Sequence, residues 1–173
     1  EDKLIDSIGF RTIITKDYDI LLNGSSVFLK GICIHEEAPY KTGRVTTEDE
    51  ILTLLSWAKE LGCNFVRLAH YPHSEKMVRE AEKMGLMIWS EIPVYWTVSF
   101  DNPETYELAE NQLKEMISRD KNRAGIILWS VANETPLSDD RNVFLKNLIA
   151  KAREMDSSRL ITAALDTQYG EDG

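Results

Sequence analysis

Residues 125–134 read Gly125-Ile126-Ile127-Leu128-Trp129-Ser130-Val131-Ala132-Asn133-Glu134. A stretch this apolar, with no alternation of polar positions, reads as a strand over 125–131 covered on both faces, and such strands belong to parallel sheets flanked by helices. Four further runs of the same character stand at 27–34, 64–69, 86–90 and 160–165. Between them lie segments of helical period. Thr47-Glu48-Asp49-Glu50 is a capping box ahead of Ile51, Leu54, Leu55, Ala58 and Leu61, with Gly62 as the stop. Ser74 caps a second helix that ends at Gly85, Asn102-Pro103 opens a third, and a fourth covers about 140–155.

Five βα units fit either an open doubly wound sheet or part of an eight-stranded barrel. A nucleotide-binding sheet places a Gly-rich turn after its first strand. Here that strand runs into Cys33-Ile34-His35-Glu36-Glu37, with neither a G-x-G-x-x-G nor a Walker pattern. The first residues read differently. Stretches 10–15 and 18–22 are strand-like, and Asn23-Gly24 between apolar runs predicts a hairpin turn. They read as the tail of a preceding β domain joined to a lid hairpin.

The 173 residues carry 20 Lys and Arg against 29 Asp and Glu, a formal net charge of −9. No window gathers the basic face that phosphate backbones require, so no nucleic-acid partner is expected. The composition, 43% hydrophobic and 28% charged, is that of an ordinary globular chain. No apolar run approaches the roughly 20 residues that cross a bilayer, so no membrane partner is expected either. The opening Glu1-Asp2-Lys3-Leu4-Ile5-Asp6 does not resemble a signal peptide and gives no localisation. Cys33 and Cys63 are too few for a disulfide framework and read as buried thiols.

In a parallel barrel, functional groups collect at the carboxyl ends of the strands. The first run ends in His35-Glu36, the second carries Arg67 with His70-Tyr71, the third ends in Glu91, the fourth in Asn133-Glu134 and the fifth in Asp166. Purely structural strand ends need only small or apolar residues and turn formers. Glu134 is the sharpest case. A carboxyl delivered by so apolar a strand into a cleft is expected to lose hydration, which favours its protonated form and suits it to general acid work. A helix-capping or salt-bridged glutamate is the alternative.

The segments Gly9-Phe10-Arg11-Thr12-Ile13, Leu22-Asn23-Gly24 with Phe28-Leu29-Lys30-Gly31, His35-Glu36, Gly43-Arg44, Asn64-Phe65-Val66-Arg67-Leu68-Ala69-His70-Tyr71-Pro72, Trp89-Ser90-Glu91 and Trp129-Ser130-Val131-Ala132-Asn133-Glu134 together resemble glycoside hydrolase family 2, the β-galactosidase and β-glucuronidase family. The resemblance implies a retaining β-glycosidase, β-galactosidase-like, acting on terminal β-linked sugars. It implies a (β/α)8 TIM barrel, incomplete at about five βα units and preceded by the end of a β-sandwich. Residues 1–22 would be the end of an immunoglobulin-like domain and its linker, and 23–173 the first part of the catalytic barrel. The acidic charge leans towards neutral rather than uronic sugars.

By resemblance, Glu134 matches the general acid/base and Asn133 the neighbour that hydrogen-bonds a sugar hydroxyl. Retention needs a second carboxylate about 5 to 5.5 Å away. In the family that nucleophile is a Glu on the seventh strand, and no residue here matches it, so the polypeptide alone is expected to be inactive. Arg67 would lie beneath the nucleophile, or form a barrel-mouth salt bridge. His70 matches a sugar-contacting position. His35 has a partly structural role, and Glu91 either tunes Glu134 or pairs with Arg67. Trp96 offers an indole face to a sugar ring or pins its loop, and Asp166 is a further substrate contact. Trp57, Trp89 and Trp129 read as packing.

No cofactor is implied. His70-x-x-His73 lacks a third ligand, and Ile92-Pro93-Val94-Tyr95-Trp96 stands where some members place a cation-binding His, so no metal is assigned. The expected partner is a carbohydrate, with the remaining barrel half or a homo-oligomer covering the open strand edges. The second reading is a non-catalytic carbohydrate-binding or scaffold module on a barrel fragment.

Overall fold

A computed structural model describes residues 2, 3 and 5–166; Glu1, Leu4 and the stretch 167–173, which the sequence reading assigned to the ends of the two domains, lie outside the described residues. Strands β1 (Ile13–Lys16), β2 (Asp19–Leu22) and β3 (Ser25–Val27) form an antiparallel sheet in that order. The remaining elements alternate: β4 (Gly31–Ile34), α1 (Glu48–Glu60), β5 (Phe65–Leu68), α2 (Glu75–Lys83), β6 (Met87–Glu91), α3 (Pro103–Asp120), β7 (Ile126–Thr135), α4 (Asp139–Met155) and β8 (Leu160–Leu165). Their five strands pair in parallel, in the order β4-β5-β6-β7-β8. Strand order that never reverses is the winding of a barrel, whereas a doubly wound sheet turns back at a switch point. The fold is an incomplete (β/α)8 barrel.

Local signals set the helix ends. The Thr47 hydroxyl accepts from Glu50 N at the start of α1, and the Glu50 side chain reaches back to Thr47 N, as the capping box predicts. Ser74 and Asn102 cap α2 and α3 through their side chains. Gly62 and Gly85 end α1 and α2 at φ of 77° and 70°. Asn23 and Gly24 both have positive φ, the two-residue turn that matches the twist of a hairpin.

The run 27–34 is not one strand. Asn64 accepts from Lys30 N and donates to Phe28 O, and Lys30 O accepts from Asn64 N, so these backbone groups bond to Asn64 instead of continuing a ladder. The barrel strand starts at Gly31, where a Cβ would stand 2.6 Å from both the ring and the carbonyl of Phe65. Stretch 10–15 is likewise shorter, β1 beginning at Ile13. Cys63 is buried, but Cys33 is exposed, because β4 is an edge strand. The hairpin packs Ile13, Ile20 and Leu22 against Phe65, Met87, Ile127 and Leu128, where the strands begin. It therefore covers the base of the barrel and not its mouth.

Successive strand residues face opposite sides, and this period sorts the barrel. Val66, Leu68 and Ile88 face out into the core beneath the helices. Phe65 and Met87 face in at the base, and the same inward rows continue to Arg67, Trp89 and Glu91 at the rim. Of the tryptophans read as packing, Trp129 is fully buried and Trp89 half-buried, while Trp57 lies on the surface against Tyr40.

Candidate active site

Glu91, at the end of β6, is 0% exposed, accepts from three side chains and lies against a fourth. Arg67 Nη2 donates to its two oxygens at 2.9 and 2.8 Å, Trp89 Nε1 at 3.0 Å and Ser130 Oγ at 2.7 Å. His70 Nδ1 stands 2.7 Å from Oε1. The same Arg67 nitrogen reaches Asn133 Oδ1 at 2.7 Å, and the guanidinium lies over the Trp89 ring at 4.5 Å. Three strands are thereby joined through one carboxylate. Arg67 Nε is buried without a partner among the described residues.

Asn133 is almost fully buried. Its Oδ1 is taken by Arg67, which orients the amide so that the NH2 remains as a donor. Its backbone pairs with the loop after β6: Asn133 N donates to Val94 O at 2.8 Å, and Trp96 N donates to Asn133 O at 3.0 Å. Glu134 and Trp96 then both take the left-handed conformation, at φ of 48° and 56°. For a residue with a Cβ this costs on the order of 1–3 kcal/mol, and such residues cluster at functional sites. The indole Nε1 of Trp96 donates to Glu134 Oε2 at 3.0 Å.

Glu134 does not lose its hydration here. It is exposed, as is Trp96 at 62%. β7 breaks register with β8 on both sides of Asn133, and the left-handed turn lifts the Glu134 carboxylate out of the apolar strand onto the open side of a five-stranded sheet. Glu134 directly follows Asn133, the residue that Arg67 holds, and the desolvation expected from the strand's character does not occur.

His35 is exposed, with its ring 5.2 Å from that of His70. His70 lies 6.2 Å from Tyr95, and Tyr95 lies 5.3 Å from Trp96, so aromatic rings line the rim from β4 to Glu134. Behind them, buried Glu36 accepts from Ser74 N at 2.7 Å and from Arg44 at 2.8 Å. Burial opposes ionisation of Glu36, but the Ser74 hydrogen bonds, His73 and Arg44 outweigh it and hold its carboxyl below the usual range. His73 is buried, which pushes its imidazole pKa down; Nε2 donates to Ala69 O, and Nδ1 has no partner among the described residues. Asp166 directly follows β8, half-buried, with no hydrogen bond or ion pair among the described residues.

Sequence reasoning missed Ser130, Trp89 and Tyr95. The signal for Trp89 is the spacing Trp89-x-Glu91, which puts both on one face of the strand. Ser130 had no such cue, because its hydroxyl meets Glu91 only across the ladder.

One protein-family model, described as glycosyl hydrolases family 2, TIM barrel domain, matches residues 13–171. A β-galactosidase of Thermoanaerobacterium thermosulfurigenes is 37% identical over 91% of this chain, and a β-glucuronidase of Rattus norvegicus is 30% identical over 95%. The chain spans 22% and 26% of those relatives' lengths. The solved structure of a Bifidobacterium dentium β-glucuronidase complexed with coumarin-3-O-glucuronide superposes with a TM-score of 0.86 at 28% identity, over 94% of this chain and 28% of that one.

Proposed function

The chain belongs to glycosyl hydrolases family 2, and from that premise we propose that it forms the first five βα units of the catalytic barrel of a retaining β-glycosidase acting on terminal β-linked sugars. One observation carries the reading. Glu134 stands at the mouth in a left-handed conformation beside Asn133, which the Arg67 and Glu91 cluster holds with its NH2 free to donate.

In this reading Glu134 protonates the glycosidic oxygen as the bond to the anomeric carbon breaks. A carboxylate from outside residues 1–173 attacks that carbon and forms the glycosyl-enzyme. Glu134, now deprotonated, takes a proton from water, whose oxygen displaces the nucleophile with net retention. The Asn133 amide donates to a sugar hydroxyl, His70 and His35 contact the sugar from β5 and β4, and Trp96 supplies a stacking face. Asp166 is a contact from β8. The unpartnered Arg67 Nε suits an acceptor arriving from the remaining strands, since an unsatisfied buried donor costs about 1–3 kcal/mol.

We further propose that residues 1–22 lead in from an immunoglobulin-like domain, and that the edges of β4 and β8 are covered by the remaining barrel strands or by a second copy. Relatives named for galactosides and for glucuronides both match, so the proposal stays at terminal β-linked sugars. The test uses the full reading frame that carries residues 1–173. Glu134→Ala lowers turnover of an alkyl β-glycoside about 10²–10⁴-fold; on an aryl β-glycoside whose leaving group departs without protonation, azide attacks the glycosyl-enzyme and accelerates turnover of the variant, releasing the β-glycosyl azide. Undiminished turnover in Glu134→Ala would sink the assignment. The isolated polypeptide shows no turnover; measurable turnover abolished by Glu134→Gln would remove the need for an outside nucleophile.

A further inference from the structure

Glu91 stands at the centre of the rim, yet substrate cannot touch it: it is fully buried and both oxygens are occupied by protein donors. Its importance lies in what those contacts dictate. Resting on the reading above, we propose that Glu91 is a positioning residue that fixes the tautomer and ring orientation of His70, so that His70 presents Nε2 to a sugar hydroxyl in the cleft.

The assignment follows from hydrogen-bond complementarity. Arg67, Trp89 and Ser130 all donate to Glu91, so the carboxylate acts as an acceptor on both oxygens. His70 Nδ1, at 2.7 Å from Oε1, must then carry a proton. The 3.3 Å approach of Arg67 Nη2 to that nitrogen sets donor against donor, so it is a packing contact and not a bond. With Nδ1 committed, Nε2 is the nitrogen left for the half-exposed side of the ring, between His35 and Tyr95. Trp89 and Ser130 hold Oε2, so the carboxylate cannot swing away from His70 without leaving two donors unpaired. The arrangement has the form of a histidine oriented by a carboxylate behind it.

The test is a panel of monodeoxy aryl β-glycosides, assayed with the full-length protein. In the wild type, one missing hydroxyl carries a kcat/KM loss that vanishes in His70→Ala. Glu91→Gln keeps the volume but sets an NH2 against other donors. Its kcat/KM falls about 10²-fold, the effect of displacing an aligned group by about 1 Å, and the same hydroxyl becomes silent. Adding His70→Ala to Glu91→Gln then produces less than the product of the two losses. Ser130→Ala, which removes one donor to Oε2 with little change in volume, serves if Glu91→Gln does not fold, and reproduces the pattern more weakly. Equal losses across all deoxy substrates, or multiplicative losses in the double variant, overturn the inference while leaving Glu134 as acid/base. A parent whose turnover survives Glu134→Ala overturns the underlying reading, and the inference falls with it.

Discussion

The base and the rim of this barrel are both built from buried arginines and carboxylates, but they are finished differently. At the base, Arg159 donates to Asp156, to Ile126 O and to Arg123 O, and lies over the Trp129 ring, whose indole donates to the same Asp156. Arg11 caps the carbonyls of Ala124, Ile126 and Ser158, and Arg123 ties Asp6 and Glu82 to the strand starts. At the rim, Arg67 Nε, His73 Nδ1 and Thr135 Oγ1 are buried without partners among the described residues, and Trp96 and Glu134 hold left-handed backbones. A closed network stabilises. An incomplete, strained one reserves groups for something else, and in barrels that end is where chemistry resides.

Four substitutions or conditions would break or sharpen this contrast. The largest effect is expected at the base: Arg159→Met strands Asp156 in a buried site and lowers the stability of the domain by about 3–5 kcal/mol, read as a shift in urea midpoint. In the full-length glycosidase proposed above, kcat is expected to stay unchanged; a kcat loss would mean that the base and rim are coupled. At the rim, Asn133→Ala does the reverse, lowering kcat/KM about 10²–10³-fold, as loss of one aligned donor does, while the urea midpoint moves little. A midpoint collapse would make Asn133 a structural residue.

Between the two, Gly31→Ala drives a Cβ to within 2.6 Å of Phe65 and costs about 1–3 kcal/mol by overpacking. A wild-type midpoint would show that the start of β4 can shift freely.

The smallest effect is in acid. Hydrogen bonds from Arg79 and then Arg123 lower the Asp6 carboxyl to about 2. Burial opposes ionisation of Asp156, but bonds from Ser158, Trp129 and Arg159 outweigh it, again to about 2. Both values lie below the ordinary 3.8, so the stability they add is present above that pH and is lost as pH falls through about 2. Urea midpoints measured between pH 5 and 2 should fall, and Asp6→Asn should flatten part of that slope. An unchanged slope in Asp6→Asn would remove Asp6 from the base network.

Much of the barrel was legible in the residues because its signals are local. The Thr47 capping box, the Asn23-Gly24 turn and the helix stops at Gly62 and Gly85 act over two to four residues, and each stands where it was read. The rim residues were legible as positions, since strands that end in Glu91 and Asn133-Glu134 deliver them to one edge. The division of 27–34 was hidden, because it depends on Asn64, more than 30 residues away. So was the exposed state of Glu134. An apolar strand argues for a dry carboxyl only if the residue that carries it keeps the extended backbone, and Glu134, left-handed one residue before the end of β7, does not.

By itself, then, the order of residues determined the alternation of strand and helix, the caps and the end of the barrel where charged groups gather. These follow from side-chain period and from hydrogen bonds within a turn or two. Tertiary structure alone decided that Glu91 collects Arg67, His70, Trp89 and Ser130 instead of facing the cleft, and that Trp96 holds Glu134. Each of those bonds depends on register between neighbouring strands and on burial, and both are properties of the packed chain that no local stretch carries.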